Sequence, residues 1–448
     1  MKILLVNPNQ ETNPMIAIPA GFYYSLSQVP SKKHTIKLSD LTFSNNPYKQ
    51  LADDLFKFRP QLIAISIRNI SPGLPFIKNN YINHYQKIIK VLKKYSKAEI
   101  IIGGSGFSQY PEEILNFFNL KFGIVGEGEL AFNQFVEYLE GKKSVQSVSS
   151  LVYFDKQNKY KINQRKFIHN LDTLKLPAFE MINFALYKKN NVPIPIQTKR
   201  GCAFNCIYCN YPFLEGNRYR LKTTKRITSE IKKAIRCSGY NYIFFVDSVF
   251  TYPPHFAYQI SKAIVDHKLN IKWQCFANPR GITEKLVKQM KLSGCDSVIL
   301  GLDSCSTKML IKLHKDFTKK MIAKAVSLFE KYHIDLTVDL ILGGPGETLE
   351  TVKETYSFLE KYCKNHSKFI TIGISVFNNT EMFNKYKLSS KKSDIFYEPP
   401  TYISPVIEKS LKSIQKMYLS LPNCGFSIPL KTNLFEKLKT KSKKIIFK

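Results

Sequence analysis

The chain has 448 residues, of which 44% are hydrophobic and 23% are charged, an ordinary globular composition that excludes an intrinsically disordered protein. The 67 lysines and arginines exceed the 34 acidic residues and give a formal net charge of +33, which suggests nucleic acid, an anionic membrane surface or an acidic substrate as partner. Because the basic residues are spread along the whole chain, we do not expect nucleic acid to be the partner.

The amino terminus and the cysteines indicate the compartment. No apolar run is long enough to cross a bilayer, and residues 1–6 lack the flanks of a signal peptide and are typical of a folded strand. The 9 cysteines are absent from the first 201 residues, and three of them fall between residues 202 and 209. This distribution favours a reducing compartment and one metal site. We therefore predict a cytoplasmic protein without a transmembrane segment and leave open peripheral contact with a membrane.

Residues 1–145 are predicted to form an α/β domain with a doubly wound, Rossmann-like parallel sheet. Continuous apolar runs alternate with helical spacing, a pattern typical of strands that are covered on both faces. Polar residues and glycines follow each strand, at the edge where such sheets bind ligands. The predicted strands are Ile3–Val6, Gln61–Ile67, Glu99–Ile102 and Phe122–Val125, and the clearest helices are 81–95 and 130–140.

The rest of the chain is predicted to hold a hairpin and linker at 146–190, a partial (β/α)6 barrel at 191–390 and a small appendage of unclear role at 391–448. Active residues of such barrels lie at the carboxyl ends of the strands. The lysine-rich run at 437–448 is interpreted as a solvated end. The six predicted barrel strands are Ile194–Thr198, Tyr242–Val246, Ile271–Phe276, Ser297–Leu300, Leu336–Leu342 and Ile370–Val376.

Three cysteines share one short segment directly after the first barrel strand. Cys202, Cys206 and Cys209 are spaced CxxxCxxC, so their thiolates can bind separate corners of an iron–sulfur cluster and leave one iron without a protein ligand. A structural zinc needs a fourth ligand at short spacing, which neither Cys237 nor a nearby histidine supplies. The other alternative is that these three cysteines are incidental core residues. Their position on one loop directly after a strand argues against that alternative.

This motif, with the aromatic Tyr208 before its last cysteine, resembles the signature of the radical S-adenosylmethionine (SAM) superfamily. The resemblance implies a [4Fe-4S] cluster held by Cys202, Cys206 and Cys209. It also implies that SAM chelates the open iron and is cleaved reductively to a 5′-deoxyadenosyl radical, with an electron donor such as flavodoxin or ferredoxin. The cofactors would supply the reactive chemistry, and the barrel would position them.

Later strand ends resemble the SAM-binding segments of this family. By resemblance, SAM contacts fall on Tyr208, on Asp247 after the second barrel strand, on Asp303 and Ser304 after the fourth, and on Gly343 and Gly344 after the fifth. Singly these are weak signals, because an aspartate after a strand is often a helix cap and glycines often mark a turn. Their order behind the cysteines makes the set specific. The segment 377–380 departs from the Tyr-Pro-Gly-Thr type of relatives, whereas 401–405 resembles the segment that closes the family's barrel region.

A doubly wound domain before such a barrel resembles the cobalamin-binding class of radical SAM enzymes, over about residues 1–405. The resemblance implies cobalamin as a cofactor, with the glycines allowing the backbone to approach a large planar ligand. Without the resemblance, these glycine segments would be read as ordinary turns. The implied cobalamin contacts are Asn7, Pro8, Ser66, Arg68, Gly103, Gly104, Ser105, Gly126, Glu127, Gly128 and Glu129.

The DxHxxG motif, whose histidine ligates cobalt in many cobalamin domains, is missing here. The lower face of the corrin would therefore lack a histidine from that motif. We hypothesise that Arg68, at a strand end, lies near this face and discourages axial ligation. The alternative is that Arg68 pairs with a neighbouring carboxylate.

These observations favour a cobalamin-dependent radical SAM enzyme, with carbon methylation of a small-molecule or lipid substrate as the leading interpretation. The substrate class rests on resemblance alone. One alternative uses the same cofactors for a rearrangement or cyclisation without methyl transfer. A second, encouraged by the charge, is a radical SAM enzyme that modifies RNA. A non-catalytic cobalamin or SAM sensor is the third, and it has no need of an open iron.

Overall fold

A computed structural model of the protein describes residues 1–12, 15–30, 32–71, 81–386 and 400–427. Within these ranges, no helix has both the length and the apolar character needed to cross a membrane. The lysine-rich run at 437–448 lies outside the described residues. Two large sheets organise the described chain, one formed mainly by its first third and one by the rest.

The first sheet contains seven described strands in the order β2-β1-β3-β4-β5-β6-β7, of which β1 to β5 are parallel. Its strands are β1 (Lys2–Asn7), β2 (Thr35–Asp40), β3 (Leu62–Ser66), β4 (Glu99–Gly103), β5 (Phe122–Ile124), β6 (Leu151–Phe154) and β7 (Tyr160–Ile162). The helices of this region are α1 (Ala20–Leu26), α2 (Pro47–Phe58), α3 (Tyr81–Tyr95), α4 (Pro111–Phe118) and α5 (Gly128–Leu139).

Both faces of this sheet are buried under helices, as the continuous apolar strands predicted. Alternate residues of β1 enter different cores: Leu4 packs with residues of α2, α3 and α4, whereas Ile3 packs with α1 and α5. The predicted doubly wound domain is confirmed. Because the strand order reverses between β1 and β3, the sheet has a topological switch point there, where open sheets of this kind bind ligands.

The predicted hairpin extends this sheet instead of standing apart from it. Strand β6 pairs antiparallel with β5, and β7 pairs antiparallel with β6. A hairpin placed here covers the edge of β5 that would otherwise expose unpaired backbone groups. The proposed division at residue 145 therefore separates segments that share one sheet.

The second sheet is the partial barrel, with seven described parallel strands in the order β18-β15-β14-β13-β12-β11-β8. The strands of the second half are β8 (Ile194–Ile196), β9 (Lys199–Arg200), β10 (Arg220–Leu221), β11 (Tyr242–Phe245), β12 (Lys272–Ala277), β13 (Cys295–Asp303), β14 (Asp335–Leu342), β15 (Ser367–Ile372), β16 (Ile374–Ser375), β17 (Thr401–Tyr402) and β18 (Cys424–Phe426).

Helices cover the outer face of this second sheet. Buried residues of β14 such as Leu336 and Val338 share one core with Ile322 and Phe329 of the helix before that strand. The helices of the second half are α6 (Phe184–Lys189), α7 (Tyr211–Glu215), α8 (Thr224–Ser238), α9 (Pro254–Asp266), α10 (Glu284–Leu292), α11 (Thr307–Lys312), α12 (Lys319–Lys331), α13 (Leu349–Tyr362), α14 (Glu381–Tyr386), α15 (Pro405–Lys409) and α16 (Leu411–Tyr418).

All six predicted barrel strands are present, and β18 is an addition that the sequence did not reveal. Only three residues long, β18 pairs in parallel with β15 and carries Phe426 into the core. The sequence places this segment in the appendage of unclear role, because helices α14 to α16 separate β18 from its partner β15. The 400–427 segment instead completes the edge of the barrel.

The two sheets are joined by buried polar contacts as well as by apolar packing. Tyr23 of α1 donates a hydrogen bond to the carbonyl of Pro195 in β8, and the Tyr24 hydroxyl accepts one from the amide of Gln197 at 3.0 Å. On the other side, the Tyr187 hydroxyl of α6 donates to Asp40 Oδ2 at 2.7 Å. The carboxyl edge of the first sheet is thereby fixed against the first barrel strand.

The outer core of the barrel depends on Trp273, the single tryptophan of the chain. It is fully buried against Phe245 and Phe250, and its indole nitrogen donates to the Ser293 carbonyl at 2.9 Å. We predict that Trp273→Ala lowers the free energy of unfolding of the barrel by about 3–5 kcal/mol through the cavity and the unpaired carbonyl. Urea unfolding followed by circular dichroism measures this loss, and Trp273→Phe should lose clearly less.

Candidate functional site

The cysteine segment is a loop whose base is closed by a short antiparallel pair. Strand β9 pairs with β10, and the Cys202 amide donates to the Gly216 carbonyl at 3.0 Å. Gly201 is required at this base, because its φ is +88° and a side-chain carbon there would lie 2.1 Å from the Arg218 carbonyl oxygen. The loop between β9 and β10 is therefore tightly folded and leaves directly from the carboxyl end of the first barrel strand.

The three cysteines lie within electrostatic range of one another. Burial, with a smaller contribution from the neighbouring Cys206 and Cys202 side chains, raises the pKa of Cys209 to about 12, although an amide hydrogen bond opposes the rise. Within the described chain, no three His, Cys, Asp or Glu side chains are arranged to hold a single metal ion.

Tyr208 ties the cysteine loop to the end of β13. Its hydroxyl donates to Asp303 Oδ2, and the same oxygen accepts from Lys315 Nζ at 2.7 Å. Asp303 has a φ of +60°, a left-handed conformation that turns the chain sharply at the end of its strand. The structure thus brings together Tyr208 and Asp303, two of the predicted SAM residues, and adds Lys315, which the sequence did not indicate.

Asp247 is buried beneath the start of the cysteine loop. It accepts hydrogen bonds from the amide of Thr198 at 2.7 Å and from the Thr198 hydroxyl, and Lys199 Nζ lies 3.5 Å from its Oδ2. Both side chains of the Lys199–Asp247 pair are fully buried. Asp247 was predicted to contact SAM. In the structure its carboxylate already has protein partners, and these contacts hold the start of the cysteine loop.

The other predicted SAM residues also have protein partners. The Ser304 hydroxyl is fully buried and lies 3.1 Å from the Thr355 hydroxyl of α13. The amides of Gly343 and Gly344 donate to Oε2 of Glu347, and burial raises the pKa of that carboxyl to about 7 although these amide bonds oppose the rise. The segment 401–405 lies against the same turn, since the Ser404 amide donates to the Gly343 carbonyl at 2.8 Å.

The inner face of the barrel carries a carboxyl that the sequence did not single out. Along β14, buried residues alternate with half-buried ones, so Asp339 faces away from the helices. It has no hydrogen-bond or ion-pair partner among the described residues, and burial followed by repulsion from Asp303 raises its pKa to about 7. Strict alternation in 335–342 was the signal that could have identified it.

At the switch point of the first sheet, some of the predicted cobalamin contacts already have protein partners, and others are accessible. The side-chain amide nitrogen of Asn7, Nδ2, donates to Asp40 at 2.9 Å and to Thr42 at 3.0 Å. The Pro8 carbonyl lies 2.8 Å from a His84 ring nitrogen. Ser66 ends β3 and stays partly exposed. The side chain of Asn7 therefore shapes the edge rather than presenting free polar atoms.

Arg68, which follows β3 at this edge, is half-exposed. Its Nη1 lies 3.8 Å from Glu11 Oε2, the carboxylate partner that the alternative interpretation required. Burial raises the pKa of Tyr211 in α7, and the positive charge of Arg68 opposes that rise, so the two groups are within electrostatic range. The carboxyl edge of the first sheet thus faces the mouth of the barrel.

Glycines at this edge accommodate protein atoms. A side-chain carbon on Gly104 would lie 2.4 Å from the Ile67 carbonyl oxygen, and one on Gly126 would lie 2.7 Å from the Arg165 guanidinium. Gly103, in contrast, is partly exposed with only one protein atom nearby, and Ser105 is exposed. The expected close approach of a ligand is therefore limited to Gly103 and Ser105, which have room at the surface.

Glu127 and Glu129 face the cysteine loop, not open space. Glu129 is buried and pairs with Arg200, while Glu127 lies 3.4 Å from Arg200 and 2.5 Å from Arg220. Gly128 sits between them at the start of α5, where a side-chain carbon would lie 2.7 Å from the Ser25 hydroxyl. Their contact with cobalamin was implied by resemblance, and the sequence does not show that arginines reach these carboxylates.

Comparisons with known proteins agree with this architecture. Residues 196–359 match the family model of the radical SAM superfamily. The chain is 26% identical to an uncharacterized methyltransferase of Pyrococcus horikoshii, over 94% of this chain and 92% of that protein. It is 20% identical to tryptophan 2-C-methyltransferase of Streptomyces laurentii, over 79% and 69% of the two chains. The methyltransferase TsrM from Kitasatospora setae, solved with cobalamin and a [4Fe-4S] cluster, has the same fold, with a TM-score of 0.83 at 17% identity over 96% and 92% of the chains.

Asp339 makes the stability of the fold depend on pH. Its folded pKa of about 7 lies above the usual value of 3.8, so the folded state holds a proton that the unfolded state releases and stability falls as pH rises from about 4 to 8. We predict that Asp339→Asn, which removes this penalty, gains stability relative to the natural protein over that range. Urea unfolding at a series of pH values tests this; a difference that is constant with pH would contradict it.

Proposed function

We propose that this chain, whose residues 196–359 are a radical SAM domain, is a cobalamin-dependent radical SAM enzyme that methylates carbon in a small molecule or lipid. The observation that carries the proposal is the contact between two edges: at the carboxyl edge of the first sheet, Glu127 and Glu129 in the turn after β5 pair with Arg200, which precedes the cysteine loop at the mouth of the barrel. A ligand bound at either edge would share the space between them.

The cysteine loop suits a [4Fe-4S] cluster by the chemistry of its donors. Cys202, Cys206 and Cys209 offer three thiols, all free of disulfides, on a loop fixed at its base. In the metal-free protein, burial raises the pKa of Cys206 and of Cys209, so both thiols hold their protons. Iron would displace these protons, since coordinating thiols are deprotonated outright.

The inner face of the barrel suits SAM. Asp339 has free acceptor oxygens there, and Asp303 keeps one carboxylate oxygen beyond the one shared by Tyr208 and Lys315. These acceptors match the hydroxyl and ammonium donors of SAM. We assign SAM to this face, with Tyr208 and Lys315 orienting Asp303.

The accessible residues after β3 and β4 suit one face of cobalamin. Ser66, Gly103 and Ser105 leave uncharged surface at the switch point, and Arg68 places a positive charge beside it. A guanidinium is not a metal ligand, which agrees with the absence of the DxHxxG motif from the sequence. We assign cobalamin to this edge and exclude Glu127 and Glu129 from direct contact.

When bound, the cluster supplies an electron and an open iron for SAM, and cobalamin supplies a methyl carrier. The chain supplies the arrangement. Tyr208 and Asp303 hold the cysteine loop against β13, Asp247 and Lys199 hold the start of the loop, and the turn after β5 of the first sheet contacts the base of the loop through Arg200. A substrate between the two edges would be shielded from water, which strengthens the electrostatic interactions there.

The relatives indicate only the chemical class of the substrate. One of them is named for methylating tryptophan, a small molecule. For this chain we propose a small-molecule or lipid substrate, and an electron donor such as flavodoxin or ferredoxin.

We predict that anaerobic reconstitution with iron and sulfide loads the natural protein with about one [4Fe-4S] cluster, and that the loaded protein consumes SAM when a one-electron reductant such as dithionite is added. With cobalamin and SAM labelled in its methyl group, the label should appear on cobalamin. Cys206→Ala should lose most of its iron and all SAM consumption, because one corner of the cluster loses its ligand. Iron analysis, absorbance and chromatography measure these outcomes.

Cys237→Ala is the matched control, because Cys237 is also half-buried but lies on α8 outside the loop. It should keep iron content and SAM consumption. SAM consumption by Cys206→Ala at the natural rate would refute the cluster assignment. Consumption of SAM without any label on cobalamin would leave the radical SAM activity standing and overturn the methyl-transfer proposal.

A further inference from the structure

Two consecutive basic residues precede the cysteine loop, and their side chains are buried in opposite halves of the molecule. Lys199 reaches into the barrel, where it pairs with Asp247 and donates to the Phe250 carbonyl at 3.0 Å. Arg200 reaches into the first half of the chain, to Glu127 and Glu129. The side chains on both faces of β9 are thus fixed by buried contacts, and β9 ends two residues before Cys202.

The Arg200 contact is almost fully withdrawn from water. The Arg200 side chain is 5% exposed, and those of Glu127 and Glu129 are 6% and 5% exposed. Burial would raise the pKa of Glu129, but the Arg200 guanidinium holds it below its usual range, so the carboxylate stays charged. Removal of one charge from such a group leaves its partner buried and uncompensated, which is strongly destabilising.

A second layer of contacts holds the far side of the same loop. Arg165, which follows β7, donates to the carbonyls of Phe213 and Leu214 in α7 and lies between the rings of Phe167 and Phe213. Arg220 of β10 pairs with Glu127 and donates to the Glu215 carbonyl at 2.7 Å. Contacts from the first half of the chain therefore reach both strands of the loop base and the helix that follows Cys209.

We propose that Glu127 and Glu129 are positioning residues for the cluster loop: through Arg200 and Arg220 the turn after β5 sets the conformation in which the three cysteines are presented. This inference rests on the proposed function only in naming the cluster as the group that the loop holds. In this proposal the turn acts on the cysteine loop and not on cobalamin, because the carboxylates of Glu127 and Glu129 contact the arginines. A change at this turn is expected to alter the cluster without any contact with it.

The test uses the full-length chain with Glu129→Gln, which keeps the shape of the side chain and removes its charge. In the iron-free protein, amide hydrogen exchange of residues 199–209 should become roughly tenfold faster or more, because a buried ion pair is broken. After reconstitution, the variant should hold less iron, and the electron paramagnetic resonance spectrum of its reduced cluster should differ from that of the natural protein. Glu127→Gln, which loses the longer contact to Arg200 and the pair with Arg220, should change both readouts in the same direction.

Tyr187→Phe is the matched control. It removes another buried polar contact between the two halves, at Asp40, which does not touch the cysteine loop. It should lower the unfolding midpoint while leaving loop exchange and the spectrum of the cluster unchanged. If Glu129→Gln does not fold, Arg200→Lys takes its place, because it keeps the charge, loses the paired geometry and should shift the same readouts by a smaller factor.

The outcomes separate the two proposals. Natural protein that binds no cluster, together with faster loop exchange in Glu129→Gln, would refute the proposed function and leave the positioning role standing. Natural protein that binds the cluster, together with unchanged exchange and an unchanged spectrum in both glutamate variants, would overturn the positioning role. Equal spectral changes in Tyr187→Phe would overturn it too, because any loss of contact between the halves would then suffice.

Discussion

The arrangement of this molecule depends on the burial of Arg200 between Glu127 and Glu129. One guanidinium joins the turn after β5 of the first sheet to the residue that precedes Gly201 and the cysteines. Charges withdrawn from water are stable only when they are paired in good geometry, so the pair permits few relative positions of the two halves. With Lys199 fixed to Asp247 on the opposite side, the cysteine loop has little freedom at its base.

This constraint fixes which residues of the two sheets lie near each other. The carboxyl edge of the first sheet carries small, accessible residues at its switch point, and the mouth of the barrel carries Asp303 and Asp339. The same polypeptide segment, β9 to β10, belongs to both, because its strands are contacted by the first half and its loop lies against β13 through Tyr208. A chemistry that uses one cofactor at each edge needs the edges held at a fixed separation, and buried ion pairs hold them more rigidly than an apolar interface that can slide.

Much of the fold was readable from local patterns. Continuous apolar runs predicted the parallel strands β1, β3, β4 and β5, and the hairpin predicted within residues 146–190 is formed by β6 and β7. The strand β18 was not predicted, because its pairing with β15 depends on the position of the barrel edge and not on local sequence. Among site residues, Tyr208 and Asp303 lie in contact, and their role as SAM contacts stays a prediction. Asp247 and Ser304 follow strands as expected, but their side chains have protein partners. A residue's place after a strand is local information, and the direction of its side chain is not.

The sequence by itself determined the chemistry of the donors: three thiols at CxxxCxxC spacing after a strand, within an alternation that permits only sheets covered by helices. Covalent spacing is sufficient for this, because the cysteines lie within eight residues and need no distant partner to share a loop. Only the tertiary structure decided that Glu127 and Glu129 bind arginines, that Asp339 has no partner among the described residues, and that Arg68 lies beside Glu11. Those outcomes depend on charges more than 30 residues apart in the chain, whose pairing is set by burial and by the packing of two sheets, and no local pattern encodes it.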